Sequence, residues 1–134
     1  MTEIYDASRV LIVDDHANNR AVFDYAVRSL GLETDTAADG REAIRQLSTN
    51  DYGLVLLDYH LPHLDGADVL RWMNAELEPR PPVIVVTADV CAETTALFRA
   101  LGCDGFATKP FVLPELLEQI TTLITHGMTD VPSR

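Results

Sequence analysis

Five short apolar or β-branched runs recur along the chain, at residues 10–13, 32–37, 54–57, 83–86 and 105–108. The first, third and fourth are continuously apolar, as strands buried on both faces of a parallel sheet are; the second and fifth are mixed and belong at the edges. Between the runs apolar residues fall at helical spacing: Val22, Phe23, Ala26, Val27 and Leu30, then Ala43, Ile44 and Leu47, then Val69, Leu70 and Met73. A helix beginning at Cys91 precedes the fifth run, and the last helix carries one stripe of Leu113, Leu116, Leu117, Ile120, Leu123 and Ile124. Asp39 followed by Glu42 reads as an N-cap with a capping-box partner, Pro114 suits a first turn, and Gly31 and Gly102 stand where helices should end.

The pattern is βα repeated five times. Right-handed crossovers turn such a chain into a parallel sheet with helices on both faces. Five units predict the flavodoxin-like doubly wound α/β fold, (βα)5, with strand order 2-1-3-4-5. Residues 9–125 form the domain, with a short N-terminal extension at 1–8 and a C-terminal tail at 126–134, both expected to be loosely held.

Composition narrows the partners. The 134 residues suit one domain, and 21 acidic against 10 basic residues give a formal net charge of −11. An acidic surface repels phosphate backbones and anionic headgroups, so direct nucleic-acid or membrane binding is not expected. Cys91 and Cys103 are too few and unpatterned for a disulfide framework and read as free thiols in a reducing compartment. Glu3 and Asp6 stand where a secretory signal would be basic, and no apolar run approaches the about 18 residues of a membrane span, so a cytoplasmic protein is expected.

In a doubly wound sheet, ligands sit beyond the carboxyl ends of the strands at the point where the winding reverses. Strand one ends in Asp14 and Asp15, strand three in Asp58, strand four in Thr87 and strand five in Lys109. Three converging carboxylates repel one another unless a cation joins them, and oxygen donors suit Mg2+. Lys109 is the only lysine beside nine arginines, a compact ammonium able to reach an anion, and Pro110 stiffens the loop that aims it. Acid cluster, hydroxyl and ammonium together point to phosphoryl chemistry, with Asp58 the best nucleophile because it stands alone on the central strand.

The strings VLIVDDH at 10–16, LVLLDYHLPHLDG at 54–66, VIVVTAD at 83–89 and GFATKPF at 105–111 resemble the response regulator receiver domain of two-component signalling. The resemblance covers about residues 9–125. It implies that Asp58 accepts a phosphoryl group from a histidine kinase or histidine phosphotransfer protein. It further implies that Asp15, Asp58 and the backbone carbonyl of His60 hold Mg2+, with Asp14 acting mainly through water. Thr87 would move toward the phosphoryl group, Lys109 would pair with it, and Phe106 would stand at the aromatic switch position, here without a tyrosine hydroxyl. The output would be a changed α4-β5-α5 face, around 91–101 and Phe106, that binds a downstream protein effector. His60, two residues past the acceptor, is not the commonest occupant there and leaves the phosphoryl lifetime open. The DDHANNR opening at 14–20 is closer to receivers of hybrid kinases and phosphorelays than to DNA-binding regulators.

Other readings fit less well. A Mg2+ phosphohydrolase of the dehalogenase type needs two aspartates separated by one residue, and Asp14 and Asp15 are adjacent. A flavodoxin needs a hydroxyl- and glycine-rich phosphate loop where this chain has DDHANN. A zinc site at His60 and His63 lacks a fourth ligand at useful spacing. A phosphorylation-independent docking module needs no chemistry, but the presence of every chemical position argues against it. Cys103 should fill a small core space, and Trp72 lies on a polar face as a partner contact or an exposed ring.

Overall fold

The computed structural model describes residues 8–130, with side chains through Ile124. Among these, ten elements alternate: β1 (Arg9–Val13), α1 (Ala17–Arg28), β2 (Glu33–Ala37), α2 (Gly40–Thr49), β3 (Leu54–Leu57), α3 (Gly66–Glu76), β4 (Val83–Thr87), α4 (Ala92–Ala100), β5 (Gly105–Thr108) and α5 (Leu113–Asp130). All strand pairs are parallel, in the order β2-β1-β3-β4-β5, which is the flavodoxin-like doubly wound sheet. Of the expected loose ends, residues 1–7 and 131–134 lie outside the described residues, and α5 runs on through 126–130. No helix among the described residues is long and apolar enough to cross a membrane.

The two-residue period of the strands divides the core. Leu11, Val13, Val55, Leu57, Val83 and Val85 meet Ala43, Leu47, Leu70, Met73 and Phe98 of α2, α3 and α4 on one face. Val10, Ile12, Leu54, Leu56, Ile84 and Val86 meet Phe23 and Val27 of α1 and Leu116, Ile120 and Ile124 of α5 on the other. Each large apolar side chain so buried contributes about 1.5–3 kcal/mol, which is why the three central strands can be apolar throughout. The edge strands β2 and β5 keep exposed positions, as their mixed sequences require.

The helical stripes are narrower than their sequences. In α1, Phe23, Ala26 and Val27 are buried, but Val22 and Leu30 are exposed because they flank the buried stripe rather than lie on it. In α5, Leu116, Ile120 and Ile124 carry the contact and Leu113 is exposed. Strand β2 starts at Glu33, one residue after Leu32. Trp72 is partly buried against the α2–α4 side of the core, as is Cys103.

Caps fix where the helices begin and end. Asp39 caps α2 through the Glu42 N–H at 2.8 Å, but the Glu42 carboxylate reaches the Ala38 N–H at 2.9 Å rather than that of Asp39, so the box is shifted by one residue. A full reciprocal box stands instead at α3, between Asp65 and Asp68. Gly31 and Gly102 follow α1 and α4 at φ 85° and 83°. At α4 the Gly102 and Cys103 N–H groups bond to the carbonyls of Arg99 and Phe98, a Schellman closure that needs the left-handed residue.

Candidate functional site

Strand register brings the expected residues together. Val13 pairs with Leu57 and Leu57 with Val85, so Asp14 and Asp58 emerge side by side, with Thr87 at the adjacent strand end. Thr87 pairs with Thr108, and the Lys109 N–H donates to the Thr87 carbonyl at 2.9 Å, which extends the ladder to the lysine. The Lys109–Pro110 peptide is cis.

The Lys109 ammonium donates to Asp14 Oδ2 at 2.6 Å and to Asp58 Oδ2 at 2.8 Å. Asp14 is 1% exposed and Asp58 7%, so both carboxylates rely on charge-assisted bonds in place of water. Asp58 Oδ1 accepts from the Tyr59 N–H at 2.7 Å. Asp14 Oδ1 accepts from the His16 N–H at 2.9 Å and from Asn19 Nδ2 at 3.4 Å, and Arg20 donates to the Asp14 carbonyl at 2.8 Å. Burial by itself lowers the Lys109 pKa, but its bonds to Asp14 and Asp58 outweigh that and hold it above the ordinary lysine value.

Asp15 pairs with His16 rather than with the lysine. His16 Nδ1 lies 3.0 Å from Asp15 Oδ1 and 3.6 Å from Asp14 Oδ1, so the three side chains form one cluster of possible metal ligands. Asp58 is tied to this cluster through the lysine that it shares with Asp14. The donors fit a hard divalent cation: carboxylate oxygens of Asp14, Asp15 and Asp58 stand against a single ammonium, with the His60 carbonyl two residues past Asp58.

Thr87 is 1% exposed, and its hydroxyl accepts from the Asp89 N–H at 3.2 Å. Asp89 Oδ2 lies 2.8 Å from His60 Nε2, and this bond leads the causes that lower the Asp89 pKa to about 2, followed by bonds from Cys91 and Thr94. The His60 ring stacks on Tyr59 at 4.4 Å between centroids, Tyr59 meets Phe98 edge-on at 5.1 Å, and Phe98 lies 6.5 Å from Phe106. Phe106 is partly buried against the core.

Close backbone approach shapes the loop after β3. A Cβ on Gly66 would stand 2.2 Å from the Asp58 carbonyl oxygen, and the Gly66 N–H donates to the Tyr59 carbonyl at 2.7 Å. The glycine of LPHLDG therefore lets the first turn of α3 lie against the residue that follows the central strand.

His16, Asn19, Arg20, Tyr59 and Asp89 join the site without having been singled out by the sequence. Asn19 and Arg20 lie in the first turn of α1, directly after the DDH turn, a proximity the DDHANNR string contains. The Asp89–His60 pair spans 29 residues and has no local signal.

A parallel sheet with an acid pocket and an ammonium at its switch point defines a phosphoacceptor type of α/β domain. Residues 10–121 match the response regulator receiver domain family, and the chain belongs to it. It is 34% identical over 116 residues to the transcriptional regulatory protein PrrA of Mycobacterium tuberculosis, covering 87% of this chain and 49% of that protein. The chain thus spans about half the length of that relative. Among solved structures, it is similar to the receiver domain of the Francisella response regulator 1452, with a TM-score of 0.83 and 28% identity, covering 90% of this chain and 98% of that one. It is also similar to the signal receiver domain of a signal transduction histidine kinase from Syntrophus aciditrophicus, with a TM-score of 0.85 and 27% identity over 95% of this chain and 96% of that one. The chain is a receiver domain of two-component signalling, a phosphoacceptor module of a kind that works with histidine kinases and downstream effectors.

Proposed function

We propose that Asp58 accepts a phosphoryl group from the phosphohistidine of a sensor kinase or phosphotransfer protein, in a Mg2+-dependent step catalysed by the receiver itself. The observation that carries this is the Lys109 ammonium, 2.6 Å from Asp14 and 2.8 Å from Asp58. It joins the nucleophile, the acid cluster and the charge needed by the incoming anion in one buried arrangement.

An Asp58 carboxylate oxygen attacks phosphorus, the N–P bond breaks, and its electron pair returns to the donor imidazole. Lys109 transfers one of its hydrogen bonds from Asp58 to a phosphoryl oxygen. The Thr87 hydroxyl, whose lone pair is held by the Asp89 N–H, turns its own proton to another. Asp15, Asp58 and the His60 carbonyl would hold Mg2+, with Asp14 acting through water; bound there the ion neutralises charge on the transferring oxygens. Loss of the Lys109–Asp58 bond and rotation of Thr87 change the end of β4, which Tyr59, Phe98 and Phe106 connect to α4 and β5. The altered α4-β5-α5 face then binds a protein effector, a shift in population between two packings. The protein resides in the cytoplasm, where its kinase donors present phosphohistidine, and does not itself bind nucleic acid, because its net charge is −11.

The test is intact mass after incubation with acetyl phosphate, with and without Mg2+, on the natural chain and on Asp58→Asn. One phosphoryl adduct that requires Mg2+ and vanishes in the variant is expected. An equal adduct in Asp58→Asn would refute the assignment, and no adduct from acetyl phosphate or from a phosphorylated histidine donor would favour the docking module.

A further inference from the structure

At the amino ends of the strands, the pole opposite Asp58, a groove of about 380 Å3 opens between the last turns of α2 and α3 and the loop before β4. Leu47, Tyr52, Leu77, Pro79 and Pro81 line its apolar side, and Asp51, Glu76 and Glu78 stand around it. The three acidic residues are exposed, and none of their carboxylates makes an ion pair or a side-chain hydrogen bond among the described residues. Arg80, the cation nearest along the chain, is committed to Asn74, Asp104 and the carbonyls of Pro81 and Gly102.

Two helix ends add to this negative charge. α2 closes at Asn50 and α3 at Leu77, both groove residues, so the carbonyl ends of the two helices, the negative poles of their dipoles, meet there. α1 and α4 carry Arg28 and Arg99 in their last turns, where a cation is favourable. α2 and α3 carry no basic residue there, and α3 ends on Glu76, a charge of the wrong sign for a helix C-terminus. This arrangement works against the stability of the free chain, and a cation seated from outside relieves it. Such a local conflict without compensation inside the chain is what a functional surface leaves in a sequence. We infer that the groove docks a basic peptide segment of a partner protein, an apolar side chain covering Leu77 and Pro79 while flanking Lys or Arg residues meet Asp51, Glu76 and Glu78. The volume suits one or two side chains, and the apolar lining distinguishes such a segment from a bare cation, which needs only the carboxylates. This contact surface is independent of Asp58 and of the α4-β5-α5 face.

The probe is an array of short synthetic peptides, each placing one Leu, Met, Phe or Trp among Lys and Arg residues. The whole chain is passed over the array, and the strongest binder is titrated into 15N-labelled protein. Saturable amide shifts should centre on residues 50–52 and 76–78, and affinity should fall as salt is raised. Glu76→Gln and Glu78→Gln, made together, should weaken the peptide about fivefold or more, while the melting temperature stays level or rises because the α3 end loses a charge that its dipole opposes. That opposite movement separates lost docking from lost folding. Replacing the apolar residue of the peptide by Ser should weaken it to a similar degree. No array member binding above its Ser-substituted control, equal affinity in the double variant, or shifts centred on the acid pocket or spread over the other acidic surfaces would overturn the inference. Spermine binding the groove as tightly as the peptide would overturn it too, leaving a site for small cations alone.

Discussion

Lys109 holds two buried carboxylates with one ammonium. Removing it leaves the buried Asp14 and Asp58 carboxylates without their shared ammonium, so Lys109→Met should lose about 3 kcal/mol of unfolding free energy at neutral pH, read by urea denaturation. The pH dependence has a definite sign. Because the folded lysine pKa is raised, its stabilisation is complete below the unfolded value of about 10.4 and is lost as pH rises through the folded value. Burial first, then the Asp35 bond, push the Tyr52 phenol up as well, and its contribution is lost in the same direction. Stability should therefore hold up to about pH 10 and fall as pH rises above it. In Lys109→Met the fall should be shallower, and an unchanged slope would assign it to Tyr52 alone. Asp89 gives a second local test: His60→Ala should let its pKa rise from about 2 toward the ordinary value of about 3.9, followed by carboxyl NMR titration.

At the scale of elements, caps and close approaches fix the loops that deliver these side chains. Asp65→Ala removes one half of the α3 box and should lose about 1 kcal/mol, with Asp39→Ala close behind, since both carboxylates accept a helix N–H at 2.8 Å. Gly66→Ala should cost about 1–3 kcal/mol and shift the Asp58 backbone resonances, because its methyl would displace the first turn of α3 from the Asp58 carbonyl.

Strands were the most legible elements, for β1, β3 and β4 are buried on both faces and tolerate only apolar runs. Helix stripes were less so: Val22 and Leu113 satisfy the spacing, but burial depends on which side of the sheet each helix packs, and that is settled by tertiary contact. The α3 box escaped because Asp at the third position replaces the usual Glu. In the pocket, Asp14, Asp58, Thr87 and Lys109 were readable as strand-end residues. The His60–Asp89 pair and the Arg80 bonds to Asn74 and Asp104 were not, because each joins loops with no shared local pattern.

Over the whole molecule, α4 is held differently at its two ends. Arg80 donates to the Gly102 carbonyl and to Asp104, and Asn74 to the Leu101 carbonyl, which pins the C-terminal end to the α3–β4 connection. At the other end Cys91 makes no side-chain cap, and its N–H reaches Asp89 at 3.3 Å, beside Thr87 and His60. A change at Asp58 should therefore move the N-terminal half of α4 and Phe106 while the Arg80 end stays fixed, seen as amide shifts on phosphorylation that decline from Cys91 toward Leu101. The most direct measurement is to trap the acyl phosphate with borohydride, which reduces a phosphorylated aspartate to homoserine, and to sequence the peptides by mass spectrometry. Homoserine at position 58, formed only with phosphodonor and Mg2+, is the expected result; homoserine at Asp14 or Asp15 with Asp58 intact would contradict it.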